Sequence, residues 1–423
     1  MHDKQHVQNS LSRTIWCLEM AALVIGVAFG LLASVAQTAQ AQTFTVIHAF
    51  TGGADGARPY AGTTMDLEGN LYGTDWAGGA GHGTVYKLTQ KNGNWVFAPL
   101  YKFAGGNDGA VPFGPVGIGP DGSLYGTTYY GGGDGCSGFG CGTVFNVRPP
   151  GAVCGAALCP GTETVLHRFR GEPSDGARPF YGDLIFDQAG SLYGTTYNGG
   201  AINGGTVFKL TPSNGAWEES VLYSFGSDGA GPADGVIFDT VGNLYGTTVW
   251  GGSIGWGVVF QLTPSGSGWT ENVLYSFQNG NDGVNPVGGL IFDQSGNLYG
   301  TTLSGGANGG GTVYQLSPSS GGWTLTTLYS FSGGGGSVAS LSMDASGNLY
   351  CTTEYDGAYG GGSVCKLTRS KGGWSYTSLH DFTGGNDGAY LLGGVTLDAN
   401  GNLYGTASAG GAYGSGVVWE ITP

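Results

Sequence analysis

The segment GNLYGTTLSGGANGGGTVYQLS, residues 296–317, recurs with few changes along the chain, and this repetition decides the fold. Its phrase Leu-Tyr-Gly-Thr, or a close variant, returns at intervals of roughly fifty residues. The seven copies begin at Leu71, Leu124, Leu192, Leu244, Leu298, Leu349 and Leu403. Each unit contains four short strand-like runs separated by turn residues, which we name A to D. In the fifth unit they are residues 289–293, 297–302, 311–317 and 323–331.

The order of these runs favours a closed ring. Four antiparallel strands per unit are typical of a β-propeller blade or of a solenoid. The chain begins with a D run, residues 43–50, before any A run, and it ends with a C run, residues 416–422. In a ring, 43–50 completes the last blade beside 416–422 and removes an exposed sheet edge. The sequence therefore predicts an all-β, seven-bladed propeller of four-stranded antiparallel blades, formed by residues 42–423 as a single domain.

The sixth copy, GNLYCTTEYDGAYGGGSVCKLT (347–368), replaces two residues together. Cys351 stands for the glycine of strand B, and Cys365 for the aromatic residue of strand C. In other copies these positions, such as Gly300 and Tyr314, also lie fourteen residues apart, which suits facing partners whose ring covers bare backbone. The paired change predicts a disulfide between the two cysteines. Two free buried thiols are the alternative.

Four more cysteines lie in the second unit, in the loops CSGFGC and CGAALC. These loops are at opposite ends of strand C, which separates them by about 20 Å. Local bridges are therefore predicted, Cys136–Cys141 and Cys154–Cys159. The same separation excludes a four-cysteine zinc site unless residues 148–161 fold back over the blade.

Composition and charge restrict the partners and the compartment. The chain has 423 residues, of which 88 are glycine and 12% aromatic, so it is a turn-rich β protein rather than a disordered one. Its formal charge of −15 disfavours nucleic acid and anionic membrane surfaces as partners. Residues 1–41 combine basic residues, an apolar run and Ala-Gln-Ala, which is typical of a secretory signal, with a retained anchor as the alternative. We expect a monomer that is secreted or periplasmic, stabilised by disulfides.

The phrases GGLIFDQSGNLYGTT, GGTVFKLTP and LYSF…NDG resemble the GloVer tandem-repeat proteins, a bacterial family. The resemblance covers nearly all of the chain after residue 41. It implies export and a repeat-built extracellular or envelope protein, and it supplies no established activity, cofactor or catalytic residues. The chain stops at Pro423, directly after a strand, so we expect release or periplasmic retention rather than surface anchoring.

Carboxylates repeat at the rim that carries the D–A and B–C connections, which we call the upper face. Six D–A connections contain Asp-Gly, which is turn chemistry, and repetition in six blades favours that structural interpretation. A carboxylate ring that binds calcium or a polyhydroxylated ligand is the alternative. These residues are Asp55, Asp108, Asp175, Asp228, Asp282 and Asp387.

Aromatic residues after strand B break the symmetry of the repeat. Exposed rings beside acids suit sugars, which have an apolar face and polar edges, whereas blade-to-blade packing is the alternative. The candidate binding residues are Trp76, Tyr129, Tyr130, Tyr197, Trp250 and Tyr355.

Two functions follow as hypotheses. The first is a non-catalytic exported scaffold that binds glycan or a protein partner. The alternative is an extracellular polysaccharide hydrolase or lyase that uses upper-face carboxylates such as Asp75 with Asp55 or Asp108.

Three histidines occupy positions where other D strands have tyrosine, namely His48, His167 and His380. We interpret them as substitutes for tyrosine and expect neither a metal nor a cofactor.

Overall fold

The computed structural model describes residues 42–150, 161–266, 268–332 and 334–423, of which Thr43–Thr422 belong to one compact unit. Seven four-stranded antiparallel sheets form the blades, which confirms the predicted all-β, seven-bladed propeller. One four-residue helical turn, Gly135–Gly138, is the only helix assigned within these residues. In this part of the chain, no helix has the length and apolar character needed to cross a bilayer. The predicted signal, residues 1–41, lies outside the described residues.

Strands A to D follow one another across each sheet. Strands A are Thr64–Met65, Gly117–Ile118, Ile185–Phe186, Ile237–Phe238, Ile291–Phe292, Ser342–Met343 and Thr396–Leu397. Strands B are Leu71–Asp75, Leu124–Thr128, Leu192–Thr196, Leu244–Thr248, Leu298–Thr302, Leu349–Thr353 and Leu403–Ala407. Strands C are Thr84–Lys91, Thr143–Arg148, Thr206–Ser213, Val258–Ser265, Thr312–Ser319, Ser363–Ser370 and Val417–Thr422. Strands D are Asn94–Lys102, Thr162–Arg168, Ala216–Ser224, Gly268–Ser276, Gly322–Ser330, Gly373–Asp381 and, for blade 7, Thr43–Ala49. A small ribbon also pairs Gly176–Ala177 with Asn198–Gly199.

The ring is closed by the two ends of the compact unit. Strand Thr43–Ala49 pairs antiparallel with Val417–Thr422, from Thr43 opposite Thr422 to Ala49 opposite Val417. The N-terminal strand therefore supplies strand D of blade 7, as the order of the runs predicts.

Strand A is shorter than the sequence suggests. In blade 5 the predicted run 289–293 contains a strand of only two residues, Ile291–Phe292. The chain turns at Asp293, whose Oδ1 accepts hydrogen bonds from the backbone N–H groups of Ser295 (2.8 Å) and Asn297 (2.9 Å). This turn ends the strand, because the Asp293 carboxylate accepts hydrogen bonds from backbone N–H groups that would otherwise be available to a neighbouring strand.

The facing positions of strands B and C explain the two cysteines of blade 6. Gly300 lies opposite Tyr314 in blade 5, and Cys351 lies opposite Cys365 in blade 6. The structure confirms a disulfide between these cysteines, with their Cα atoms 5.0 Å apart. A Cβ on Gly300 would lie 2.4 Å from the Tyr314 hydroxyl oxygen, so a ring in strand C requires glycine in strand B.

The structure also contains one of the two predicted local bridges. Cys136 and Cys141 form a disulfide, with their Cα atoms 5.2 Å apart. The predicted pair Cys154–Cys159 falls outside the described residues.

Adjacent blades are joined by apolar packing and by a repeated hydrogen bond. One buried cluster joins Tyr299 and Phe331 of blade 5 to Leu349 and Leu367 of blade 6. In six blades the threonine of the Leu-Tyr-Gly-Thr phrase donates to a carbonyl in the segment that enters the next blade, as Thr352 Oγ1 does to Gly393 O at 2.9 Å, whereas the buried Thr127 hydroxyl of blade 2 has no such partner. These bonds fix the entry segments, which surround the ring axis.

Candidate functional site

A cavity of about 290 Å³ lies where the segments leading into strand A converge from all seven blades. Its lining runs from Gly62 in blade 1 to Gly394 in blade 7, and much of its wall is backbone and small side chains. The volume is at the lower end of the range of small-molecule sites, about 300–1,000 Å³. The cavity therefore suits one small polar group or sugar residue rather than a polymer.

Two aspartates interrupt this wall of small residues. The entry segments can be aligned by the residues that lie five and four positions before the first residue of the A–B turn, which is Asp293 in blade 5. In blades 1 to 7 these two positions are Ala61–Gly62, Gly114–Pro115, Gly182–Asp183, Asp234–Gly235, Gly288–Gly289, Ala339–Ser340 and Gly393–Gly394. The two acids are not among the site residues predicted from the sequence. Their departure from a mostly Gly, Ala, Pro or Ser pattern is the signal that aligning the entry segments would have revealed.

Asp234 is fixed by donors from three blades. It accepts hydrogen bonds from the N–H groups of Gly235 and Gly289 and from the Ser340 hydroxyl, each at 2.7 Å. Burial nevertheless raises the pKa of Asp234 above its ordinary value. The side chain of Asp183 is exposed at the cavity, where desolvation by the protein around it, followed by the neighbouring Asp234, raises the pKa of Asp183 to about 7. Near neutral pH the pair can both donate and accept hydrogen bonds at the cavity wall.

An aromatic cluster lies at the upper face on blades 1 to 4. Its members are Tyr60, Trp76, Phe113, Tyr129, Tyr130, Phe180, Tyr181, Tyr197 and Trp250. Phe113 is central, with ring centroids 5.2 Å from Tyr60, 5.3 Å from Tyr129 and 5.3 Å from Phe180. Because Tyr60, Phe113 and Tyr181 also line the cavity, the aromatic cluster adjoins the cavity.

Polar groups are interleaved with these rings. Trp250, which is 46% exposed, donates from Nε1 to the Tyr197 hydroxyl at 3.0 Å. The Arg58 guanidinium lies 5.3 Å from the centroid of Trp76, and Arg178 lies 5.8 Å from that of Tyr129. Cation–π contacts of this kind hold the rings in place and leave guanidinium N–H groups as donors.

The sequence-predicted aromatic residues are only partly brought together. Five of the six belong to the aromatic cluster, whereas Tyr355 pairs with Tyr390 at a centroid distance of 5.2 Å on blades 6 and 7. The residues that the sequence analysis missed, such as Phe113 and Phe180, directly follow the proline of the D–A connection. That shared position was the available signal.

The aspartates of the Asp-Gly turns bind within their own connections. Asp282 accepts hydrogen bonds from the N–H groups of Gln278 (2.7 Å) and Gly280 (2.9 Å) and from the Tyr275 hydroxyl (3.0 Å). The other five, at positions 55, 108, 175, 228 and 387, accept equivalent backbone bonds. Each carboxylate thus caps one turn.

Asp75 is enclosed within blade 1. Its Oδ2 accepts a hydrogen bond from the Thr84 hydroxyl at 2.7 Å, whereas its Oδ1 is buried without a hydrogen-bond partner. Four other blades have two hydroxyls here, as in Thr302 and Thr312 at 2.9 Å, whereas Thr248 faces Val258 and Ala407 faces Val417. Burial, with a smaller contribution from Asp55, raises the pKa of Asp75 well above its ordinary value.

Replacing Asp75 by threonine is expected to stabilise the protein by about 1–3 kcal/mol at pH 7, because it removes a buried, unpartnered acceptor. Chemical denaturation measures the gain. The reverse change in blade 5, Thr302→Asp, is the matched control and is expected to destabilise by a similar amount. A neutral or destabilising D75T variant would contradict this account of the site.

Carboxyl groups also meet at three successive blade interfaces. Each of these interface triads contains a ring of strand D, the aspartate of the following turn and a glutamate of the next strand D. They are Tyr101, Asp108 and Glu163; His167, Asp175 and Glu219; and Tyr223, Asp228 and Glu271. Burial, together with the adjacent aspartate, raises the pKa of each glutamate to about 7.

These shifts predict that stability falls as the pH rises from about 5 to 8. The folded protein keeps the glutamates protonated above pH 4.5, where the unfolded chain ionises them, so their contribution is complete at low pH and is lost through pH 7. We expect a loss of about 1 kcal/mol for each glutamate, reduced for partial exposure. Below about pH 4 stability declines again, because turn carboxylates such as Asp293 have lowered pKa values.

Urea unfolding of wild type and of the double variant Glu163→Gln/Glu271→Gln tests this slope. The double variant is expected to be less sensitive to pH between 5 and 8, while the exposed Glu218→Gln is the control. An unchanged slope in the double variant would refute the assignment.

Comparison with known proteins identifies a family and a fold. The family model described as Gloeobacter/Verrucomicrobia repeat matches residues 33–248 and 234–423. No curated protein shows significant similarity to the chain.

Two of the solved structures to which the chain is similar are distant in sequence. One is a candidate 6-phosphogluconolactonase from Bacteroides fragilis, with a TM-score of 0.50 at 14% identity, covering 81% of this chain and 95% of that one. Another is a candidate oxidoreductase (glucose dehydrogenase) from Thermus thermophilus, with a TM-score of 0.44 at 14% identity, covering 90% and 99%. At such identities the likeness concerns the fold alone.

Proposed function

This chain belongs to the Gloeobacter/Verrucomicrobia repeat family, and we propose that it is an exported binding protein for carbohydrate, which docks on the aromatic cluster beside the central cavity. The observation that carries the proposal is the asymmetry of the upper face: nine contacting aromatic residues on blades 1 to 4 adjoin a cavity with two acids. A ligand needs such a unique site, whereas purely architectural residues repeat in every blade.

The chemistry of the site suits a sugar. The apolar face of a pyranose packs against half-buried rings, and its hydroxyls pair with guanidinium, phenol and carboxyl groups. Asp183 offers a carboxyl at the cavity wall, and Arg58 and Arg178 lie among the rings. Export is supported by the two disulfides, since such bonds persist in oxidising compartments.

The hydrolase alternative receives less support. It depends on Asp75, which is fully buried and bonded to Thr84 inside the blade. A general acid must reach the glycosidic oxygen, so an enclosed carboxyl does not suit this role.

Binding is tested by screening the labelled protein against plant and microbial polysaccharides and then by titrating the best ligand calorimetrically. Trp250→Ala is expected to weaken affinity at least tenfold, because it removes an exposed ring of the aromatic cluster. Tyr413→Ala is the control, since Tyr413 is also exposed on the upper face but belongs to blade 7. Equal affinities of the two variants, or no glycan ligand in the screen, would overturn the proposal.

A further inference from the structure

The interface triads differ in one residue that changes their chemistry. All three contain an aspartate and a glutamate, but the ring is tyrosine in the first and third and His167 in the second. The other two histidines of this register meet a ring in place of the glutamate: His48 stacks on Phe97 at 4.0 Å, and His380 on Phe44 at 3.8 Å. Among the described residues, only the triad between blades 2 and 3 brings a histidine and two carboxylates within mutual reach of one ion.

The geometry of this triad is that of converging ligands. His167 Nε2 lies 3.2 Å from Asp175 Oδ2, and the ligand atoms of His167, Asp175 and Glu219 all lie within 4.8 Å of one another. Asp175 is held by hydrogen bonds from the N–H groups of Arg170 (2.8 Å) and Gly176 (2.7 Å). Glu219 Oε1 is buried and has no hydrogen-bond partner.

We propose that His167, Asp175 and Glu219 form a site for a divalent transition-metal ion, for which Zn²⁺ is the best match. An imidazole nitrogen and two carboxylate oxygens are a ligand set that zinc accepts at about 2.0–2.2 Å, with water completing the coordination. Tetrahedral ligands at such bond lengths are about 3–3.5 Å apart, so a small rotation of the Glu219 side chain closes the site. The ion would replace the direct contact between His167 and Asp175 and would satisfy the buried Glu219 oxygen.

The proposal has a structural reason in the fold. His167 belongs to strand D of blade 2, Asp175 to the following connection and Glu219 to strand D of blade 3. An ion bound by all three would join two blades, and the side chain of His167 is 18% exposed, which leaves a path for the ion. The neighbouring triads have tyrosine in place of the nitrogen ligand, and a neutral phenol is a poor ligand.

The test uses the untagged full chain, stripped with chelator and titrated with Zn²⁺ alone. We expect one zinc per chain at this site, measured by metal analysis after gel filtration, and a raised melting temperature on addition of zinc. His167→Tyr, which gives the triad the composition of its neighbours, is expected to lower the stoichiometry by one. Tyr223→His, which copies the nitrogen ligand into the third triad, is expected to raise it by one.

Far-ultraviolet circular dichroism and the melting temperature, both measured without metal, verify that each variant is folded. Visible absorption of the Co²⁺-substituted protein reports nitrogen and oxygen coordination independently of stability, and it should vanish in His167→Tyr. Zinc binding of equal stoichiometry in wild type and a folded His167→Tyr variant, or no binding in wild type, would overturn the proposal.

Discussion

A chain that lacks residues 1–50 is expected to yield no cooperatively folded monomer, whereas a chain that lacks only residues 1–41 folds. The difference is strand Thr43–Ala49 with Phe50, which completes blade 7. Its loss exposes the edge of Val417–Thr422 and removes Phe50, which is fully buried with Tyr86 of blade 1. We expect the cost to exceed about 5 kcal/mol, which is comparable to the whole stability of a typical domain. Gel filtration and thermal melting followed by circular dichroism distinguish the two chains.

A circular permutant provides the control for this deletion. It begins at Thr51 and ends at Phe50, with Asn-Gly joining Thr422 to Thr43. Blades 1 and 3 use such hairpins: Lys91 pairs with Asn94 and Ser213 with Ala216, and both intervening residues have positive φ in each. We expect the permutant to be at least as stable as wild type, since only the connectivity changes. If it fails to fold, closure by this strand is not the source of the effect.

Replacing Cys365 by phenylalanine is expected to destabilise the oxidised protein by about 5 kcal/mol. About 3 kcal/mol comes from the lost cross-link, which closes a short loop, and about 2 kcal/mol from overpacking against Cys351. Overpacking is expected because the aromatic residue at this position of strand C faces a glycine of strand B in the other blades. A Cβ on Gly405, for example, would lie 2.3 Å from Trp419 Cζ2.

The double variant Cys351→Gly/Cys365→Phe tests the cause. It restores the glycine–ring pair of the other blades, so we expect a net loss of only about 1 kcal/mol, because burial of the ring offsets most of the lost cross-link. Guanidinium unfolding without reductant gives both values. If the double variant is no more stable than Cys365→Phe, the destabilisation does not come from a clash between the phenylalanine ring and Cys351.

The fold was predictable because each of its determinants lies within one repeat or at the ends of the chain. The fourteen-residue spacing from Cys351 to Cys365 specifies the hairpin register, and the unpaired run at 43–50 specifies the closure. The short strand A was harder to foresee, since Asp293 ends it through side-chain hydrogen bonds that a hydrophobic pattern does not reveal.

The site was predictable only in part, because it is built from positions in different blades. Tyr197 and Trp250 are visible as departures from the repeat, but their contact across two blades is not. His167 was correctly placed as a ring in the tyrosine position, but its neighbour Glu219 is contributed by the next blade. Predicting such contacts requires the angle between adjacent blades, and residue spacing in the sequence does not give that angle.

Ring closure also sets an order of events during synthesis. Thr43–Ala49 is the first strand of the propeller to leave the ribosome, and its partner Val417–Thr422 is the last. At about 5–20 residues per second, the first strand waits roughly twenty to seventy seconds for that partner. During this time six blades can assemble in sequence while the seventh stays incomplete. The last strand of the propeller to be translated therefore decides whether the ring closes.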